Sequence, residues 1–235
     1  GVFALNLVVI DTVALIPSSA RVDFGAGDVE LAAENRRTDT AKALAKAEAG
    51  GSDAGVGASV AINVIAHDLT RAEIAAGADV TGGANVTVRA DHADVVTNEV
   101  AAGAKGGTAI APAVGINVVL PVVLASIGTP GPRAFVATGT VLVRATHAGS
   151  VSVSGKAEAT GSDDAAVGAI IVINVVDLAV TASVLRDVTA GGLWLVAATE
   201  LHTSAIGAAS AGGASFACAA VERRRSDFVA VPAAS

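Results

Sequence analysis

Four histidines, a row of asparagines and scattered carboxylates are the residues of this chain whose types and spacing could do chemistry. His92 closes the segment Val86-Thr-Val-Arg-Ala-Asp-His92, His147 closes the similar segment Val141-Leu-Val-Arg-Ala-Thr-His147, and His202 follows His147 at the same interval that separates His147 from His92. Asn35 holds the corresponding place earlier in the chain. A column of imidazoles invites a metal ion. Acidic segments recur as Gly51-Ser-Asp-Ala54 and Gly161-Ser-Asp-Asp-Ala165, and the second could offer two carboxylates to calcium. Neither a Gly-Gly-x-Gly-x-Asp repeat nor an EF-hand loop is present, so both read as turns formed by Ser and Asp. Cys218 is the only cysteine, which excludes an intrachain disulfide and a cysteine metal cluster and suits a small buried residue. Asp68, Asp91, Asp94 and Asp177 are candidate acids or bases, but polysaccharide-cleaving chemistry needs such groups gathered on one face, and these fall in different parts of the chain's repeat. No Ser-His-Asp signature, phosphate loop or zinc motif is found. The expectation is no enzyme, no catalytic residue, no metal and no cofactor.

The elements that hold these residues are repeats. Ala4-Leu-Asn-Leu-Val-Val9, Ala61-Ile-Asn-Val-Ile-Ala66, Gly115-Ile-Asn-Val-Val-Leu120 and Val172-Ile-Asn-Val-Val-Asp177 place Asn6, Asn63, Asn117 and Asn174 at a near-constant interval of about 55 residues. A second set, beginning at Val29, Val86, Val141 and Leu195, keeps the same period. Four modules result, approximately 1–57, 58–111, 112–168 and 169–235, in one array that reads as a fragment of a longer protein. The four asparagines are expected to form a structural amide column. A shorter echo, Glu73-Ile-Ala-Ala-Gly-Ala78 against Glu99-Val-Ala-Ala-Gly-Ala104, falls at half the period and predicts two coils of about 27 residues per module.

Valines alternate with polar residues in Val86-Thr-Val-Arg-Ala90, a strand with Val88 inward and Arg89 outward, as Val143 and Arg144 are in the next module. In Ser59-Val-Ala-Ile-Asn-Val64, the large Val60, Ile62 and Val64 are expected in the core, with Ser59, Ala61 and Asn63 on the opposite, small-residue face. The Ala- and Lys-rich stretch from Thr38 to Ala49 would suit a helix, but its counterpart Val95-Val-Thr-Asn-Glu-Val100 reads as strand. The chain has 235 residues, 52% hydrophobic and 3% aromatic, with 26 Gly and neither Met nor Tyr. Its apolar mass is therefore small and β-branched. Stacked parallel strands place each residue above its counterpart about 4.8 Å away, so columns of Val, Ile and Ala fill a narrow interior that has no room for large rings. The fold class expected is all-β, a parallel β-helix (β-solenoid). With two coils per module, His92 and His147 would lie about 9 to 10 Å apart, too far for the bonds of about 2.0 to 2.1 Å that one zinc ion makes.

A net charge of −7 disfavours a nucleic-acid surface, and Arg223-Arg224-Arg225, the only basic run, reads as a solvated turn. Ala165 to Leu185 is long and apolar enough to suggest a membrane span, but its β-branched density and Asp177 favour a strand. An outer-membrane barrel would need aromatic girdles, which a chain with one Trp and no Tyr cannot supply.

Gly55-Val-Gly-Ala-Ser-Val-Ala-Ile-Asn-Val64 followed by Gly77-Ala-Asp-Val-Thr-Gly-Gly-Ala-Asn-Val-Thr-Val-Arg-Ala90 resembles the repeat region of very large bacterial surface proteins of the filamentous haemagglutinin or leukotoxin-like adhesin type. The resemblance spans all four modules. It implies a secreted or cell-surface β-helical shaft with an adhesive or scaffolding role, and it carries over no catalytic residue. Partners expected are flanking modules or copies of the chain end to end, together with host or surface glycans or proteins. A self-assembling filament or sheath and matrix subunit is the alternative, and a β-helical polysaccharide-active enzyme ranks after it.

Overall fold

The computed structural model describes residues 1–48, 54–212 and 219–231. They form twelve strands: β1 (Val2–Ile16), β2 (Arg21–Asp23), β3 (Val29–Glu48), β4 (Gly55–Val56), β5 (Ser59–Ile74), β6 (Asp79–Thr81), β7 (Val86–Ile127), β8 (Phe135–Val136), β9 (Thr140–Val184), β10 (Val188–Thr189), β11 (Gly192–Gly212) and β12 (Ala219–Val231). Every pairing is parallel. The described residues are all-β, and no helix among them is long and apolar enough to cross a membrane. The stretch from Thr38 runs as strand to Glu48, in register with Val95 to Lys105. Pairing along a whole edge overrides the weak helical preference of Ala and Lys.

Strand β7 has 42 residues and would be about 140 Å long if straight. It doubles back instead. The side-chain amide of Asn98 donates to the carbonyl of Ile116, 18 residues on, across the interior. The first half of β7 stacks with β3, the first half of β9 and β11; the second half stacks with β5, β1 and the second half of β9, on which β12 also pairs. These two stacks face each other. Short parallel pairs, β2 with β6 and β8 with β10, lie in the segments that lead from one stack to the other. Gly82 and Gly83 take φ values of 80° and 98° in one of those segments, a left-handed backbone that glycine adopts without penalty.

Val88 pairs directly with Leu31 on one side and Val143 on the other, and Asn63 pairs with Asn6 and Asn117. One whole module is therefore one stacking step, which corrects the expectation of two coils per module. The half-period echo has a simple origin. Glu73 pairs with Ser126 and Glu99 with Ser154, so the two echoing segments never meet; they are alike because each lines one of two facing layers built on the same alternation.

The inward columns sort into belts across the interior. Val88, Val143, Val123, Ala125, Val180 and their neighbours form an apolar cluster near the turns. Ile65, Val96, Val119, Val151 and Val176 form a second, and Val100, Ala102, Ala113, Val153 and Ile170 belong to a third at the far end. Polar belts lie between them. Arg89 and Arg144 point outward, where Arg89 pairs with Glu30, Glu34 and Asp91, and Arg144 with Asp91.

The facing of β5 is the reverse of the sequence expectation. Ser59, Ala61 and Asn63 are buried, while Val60, Ile62 and Val64 lie half-covered on the outside. Two layers this close leave room inside for small and amide side chains, so the larger ones go out. The outer columns Phe3-Val60-Val114-Ile171, Leu5-Ile62-Ile116-Ile173 and Leu7-Val64-Val118-Val175 make an apolar outer face, in which Phe3 is 65% exposed and Ile171 46%.

Candidate functional site

Most of the buried polar side chains among the described residues gather in two belts; Asp79 and Arg186 are among those that lie apart. The first is built on the asparagines. Asn63 donates to the Asn117 Oδ1 at 3.0 Å and Asn117 to the Asn174 Oδ1 at 2.8 Å. Each amide also reaches the facing layer: Asn63 donates to the carbonyl of Thr97, Asn117 to that of Ser152 and Asn174 to that of Ser204. Asn98 returns the contact from the other side, donating to the carbonyl of Ala61. Asn6 stands in the same register but donates to Asp39 across the layer, 3.3 Å away. Beyond Asn174 the backbone register continues to Glu222.

The second belt holds the ionisable groups. Inward positions on one layer stack Asn35, His92, His147 and Thr199, and two residues along Arg37, Asp94, Gly149 and Leu201. The facing layer contributes Asp68, whose register neighbours are Ile10 and Pro121, and Thr70. The imidazoles of His92 and His147 are stacked, with centroids 5.2 Å apart and planes 8° from parallel. One step separates them, which corrects the two-step spacing expected from sequence. His202 is not in this column. Its register partner is Ser150, and it is exposed beside Glu200.

Each imidazole is held by its Nδ1, that of His92 at 3.1 Å from the Thr70 Oγ1 and that of His147 at 3.3 Å from the Thr199 Oγ1. Their Nε2 atoms face carboxylates: His92 lies 3.2 Å from Asp68, and His147 3.2 Å from Asp94. Arg37 closes the belt, with Nη1 2.9 Å from Asp68, Nη2 3.0 Å from Asp94 and Nε 3.2 Å from Asp39. Asn35 donates to the other oxygen of Asp68 at 2.9 Å. Burial alone would raise the Asp94 carboxyl; the adjoining imidazoles of His147 and His92 overcome this and hold it well below the usual carboxylate range. Burial dominates at Asp68 and pushes its carboxyl up, against the pull of His92 and Arg37. Two surface depressions, of about 290 and 300 Å³, overlie the belt where Ala93 and Ala148 present only methyl groups.

The four aspartates considered from sequence are thus divided. Asp68 and Asp94 meet across the layers, which corrects the reading that all four lie apart. Asp91 sits on the outer surface, bonded by Arg89, Arg144 and Thr146, and Asp177 is exposed. The segment Gly161 to Ala165 runs as extended backbone within β9 rather than as a free turn, and the basic run Arg223 to Arg225 lies within β12. Cys218 and Gly51 to Asp53 lie outside the described residues.

Sequence reasoning passed over Asn35 as a partner, Arg37, Thr70 and Arg186. A single-step register exposes the first two, because Asn35 and Arg37 stand one full period before His92 and Asp94. Arg186 has no counterpart to reveal it. Its buried guanidinium donates to the carbonyls of Gly128, Thr129, Ala78 and Ala75, tying together the turns of two preceding modules.

Comparison of the chain with protein-family models, with curated proteins and with solved structures finds no match.

Proposed function

We propose that the chain is a closed parallel β-solenoid, a segment of the extracellular shaft of a bacterial surface adhesin, non-enzymatic and mechanical in role. The observation that carries this reading is the repeated register: apart from local shifts at Val8/Val9, Ile65/Asp68 and Gly106/Thr108, the same inward columns continue from β1 through β5, β7 and β9, with polar belts at the same depth in successive steps. An architecture of this kind lengthens by addition of equal units and needs no cofactor to do so. Its contribution is reach, and adhesion belongs to surfaces displayed along or beyond it. The asparagine belt acts in this reading as a structural column, since the amide N–H groups of Asn63 and Asn117 are taken by the next asparagine and by facing carbonyls.

The alternative, a filament or sheath subunit, is favoured by one feature, the apolar outer face on β1, β5, β7 and β9. The small-residue face of Ser59, Ala61 and Asn63, expected opposite the core, is buried within the chain.

Two measurements test the proposal. Small-angle scattering on the chain and on a tandem duplicate should show about 20 Å of added length at constant cross-section, as four further steps of about 4.8 Å require; growth in cross-section would defeat the solenoid. Bacteria displaying the chain beneath their surface adhesin should attach to glycan- or matrix-coated surfaces better than bacteria in which it is deleted. Equal attachment would defeat the shaft role.

A further inference from the structure

The ionisable belt has an unbalanced charge. Asp39, Asp68 and Asp94 converge on a single guanidinium, that of Arg37, so three carboxylates face one fixed positive charge. The Asp68 and Asp94 side chains are 0% and 1% exposed. Buried charge without compensation is costly, so two further positive charges are called for at this place. Compensation has three sources here: imidazolium, a proton on Asp68, whose carboxyl burial pushes up, or one divalent cation. Two imidazolium rings stacked at 5.2 Å would repel each other in a dry interior.

The donor atoms favour the cation. His92 Nε2, His147 Nε2 and Asp94 Oδ1 are buried and make no hydrogen bond of acceptable geometry with any described residue, although His147 Nε2 lies 3.2 Å from Asp94 Oδ1 and His92 Nε2 3.2 Å from Asp68. The ligand atoms of His92, Asp94 and His147 lie within 4.8 Å of one another. Bonds of about 2.0 to 2.1 Å in a tetrahedral set place two ligands of one ion about 3.4 Å apart, so a shift of about 1.5 Å closes the widest gap. Gly149 supplies the room: a Cβ there would collide with the Asp94 Oδ1 and the His147 Cε1. Thr70 and Thr199 engage the Nδ1 atoms, which is the outer support that metal-bound imidazoles have. Arg37 takes the Asp94 Oδ2 and leaves the Oδ1 turned toward His147.

We propose that His92, His147 and Asp94 form a binding site for one divalent transition-metal ion of the zinc class. The site joins two consecutive stacking steps, and Thr70 supports it from the facing layer. Two imidazoles with carboxylate oxygens suit zinc, cobalt or nickel and disfavour calcium or magnesium, which prefer oxygen throughout. The ion is structural here, since every donor lies in the packed interior.

The test uses the 235-residue chain stripped by chelator and titrated with Zn²⁺ alone and with Co²⁺ alone. One equivalent should bind, with Co²⁺ giving the visible bands of nitrogen and oxygen ligation, and the melting temperature should rise with metal. Histidine NMR of the unaltered chain should show two of the four imidazoles shifted to the Nε2-coordinated form. His67→Ala/His202→Ala, which removes the exposed pair, should leave binding unchanged. Thr70→Val should weaken it about 10- to 100-fold, the usual cost of losing an outer partner, and His147→Ala by more. A folded chain that binds no metal overturns the proposal. So do shifts confined to His67 and His202, or two buried imidazolium ions persisting at neutral pH in the presence of Zn²⁺. The NMR measurement on the unaltered chain decides the question even if His147→Ala does not fold.

Discussion

Ala61 and Ile62 are adjacent in β5, yet a charge at one should cost far more than at the other. The Ala61 side chain is fully buried between the two layers, in line with Ala4 and Gly115, whereas Ile62 is half-covered on the outside between Leu5 and Ile116. Ala61→Asp places an unpaired carboxylate in the interior and is expected to cost about 3 to 5 kcal/mol. Ile62→Asp loses outer cross-strand contacts and should cost about 1 to 2 kcal/mol. Urea denaturation of the two variants checks the order, and a reversed order would restore the facing assumed from hydrophobicity. Alternation was legible in the sequence here, but its direction was not. Hydrophobicity assigns the larger side chains to the core by default; the spacing of the layers, which no single strand encodes, sends them outward. For Val88 and Val143, in the first halves of β7 and β9, the two rules agree, and both are inward as their pattern suggested.

Among the elements, the turns between the stacks vary most in length and composition, and one side chain ties two of them together. The Arg186 guanidinium satisfies carbonyls in the turns after β5 and after β7, the most distant being Ala75, 111 residues earlier. Removing it leaves those carbonyls without their donors and opens space beside them. Arg186→Ala is expected to cost about 2 to 4 kcal/mol. Hydrogen exchange should accelerate at the amides of Gly77, Ala78 and Gly128, which are bonded within these turns. Exchange changed only next to residue 186 would mean that the turns hold without it. The belts were partly legible at this scale. The asparagine period points to one shared register for Asn6, Asn63, Asn117 and Asn174, because one residue type recurs at every step; the side-chain bonds link only the last three, and Asn6 turns to Asp39. The ionisable belt was missed because its members differ in type from step to step, Asn35 giving way to His92 and Arg37 to Asp94, and because Asp68 arrives from the facing layer. A register error also hid it: the half-period echo set His92 and His147 two steps apart, when they are neighbours.

At the scale of the whole molecule, the repeat period sets how much chain belongs to each step. Every step contains two long strand segments and the turns between them, one full period of sequence, held to the next step by long rows of backbone hydrogen bonds. A pull along the stacking axis acts across those rows, so an end step should peel away as a unit while the steps behind it remain paired. Each peeled step frees about 180 to 200 Å of extended chain in exchange for about 4.8 Å of stacked height. In single-molecule pulling from the two ends, the force should fall in a sawtooth with increments near that length, and increments near half of it would mean that the two layers separate independently. A tether built this way would lengthen about 40-fold, step by step, before its covalent backbone took the strain.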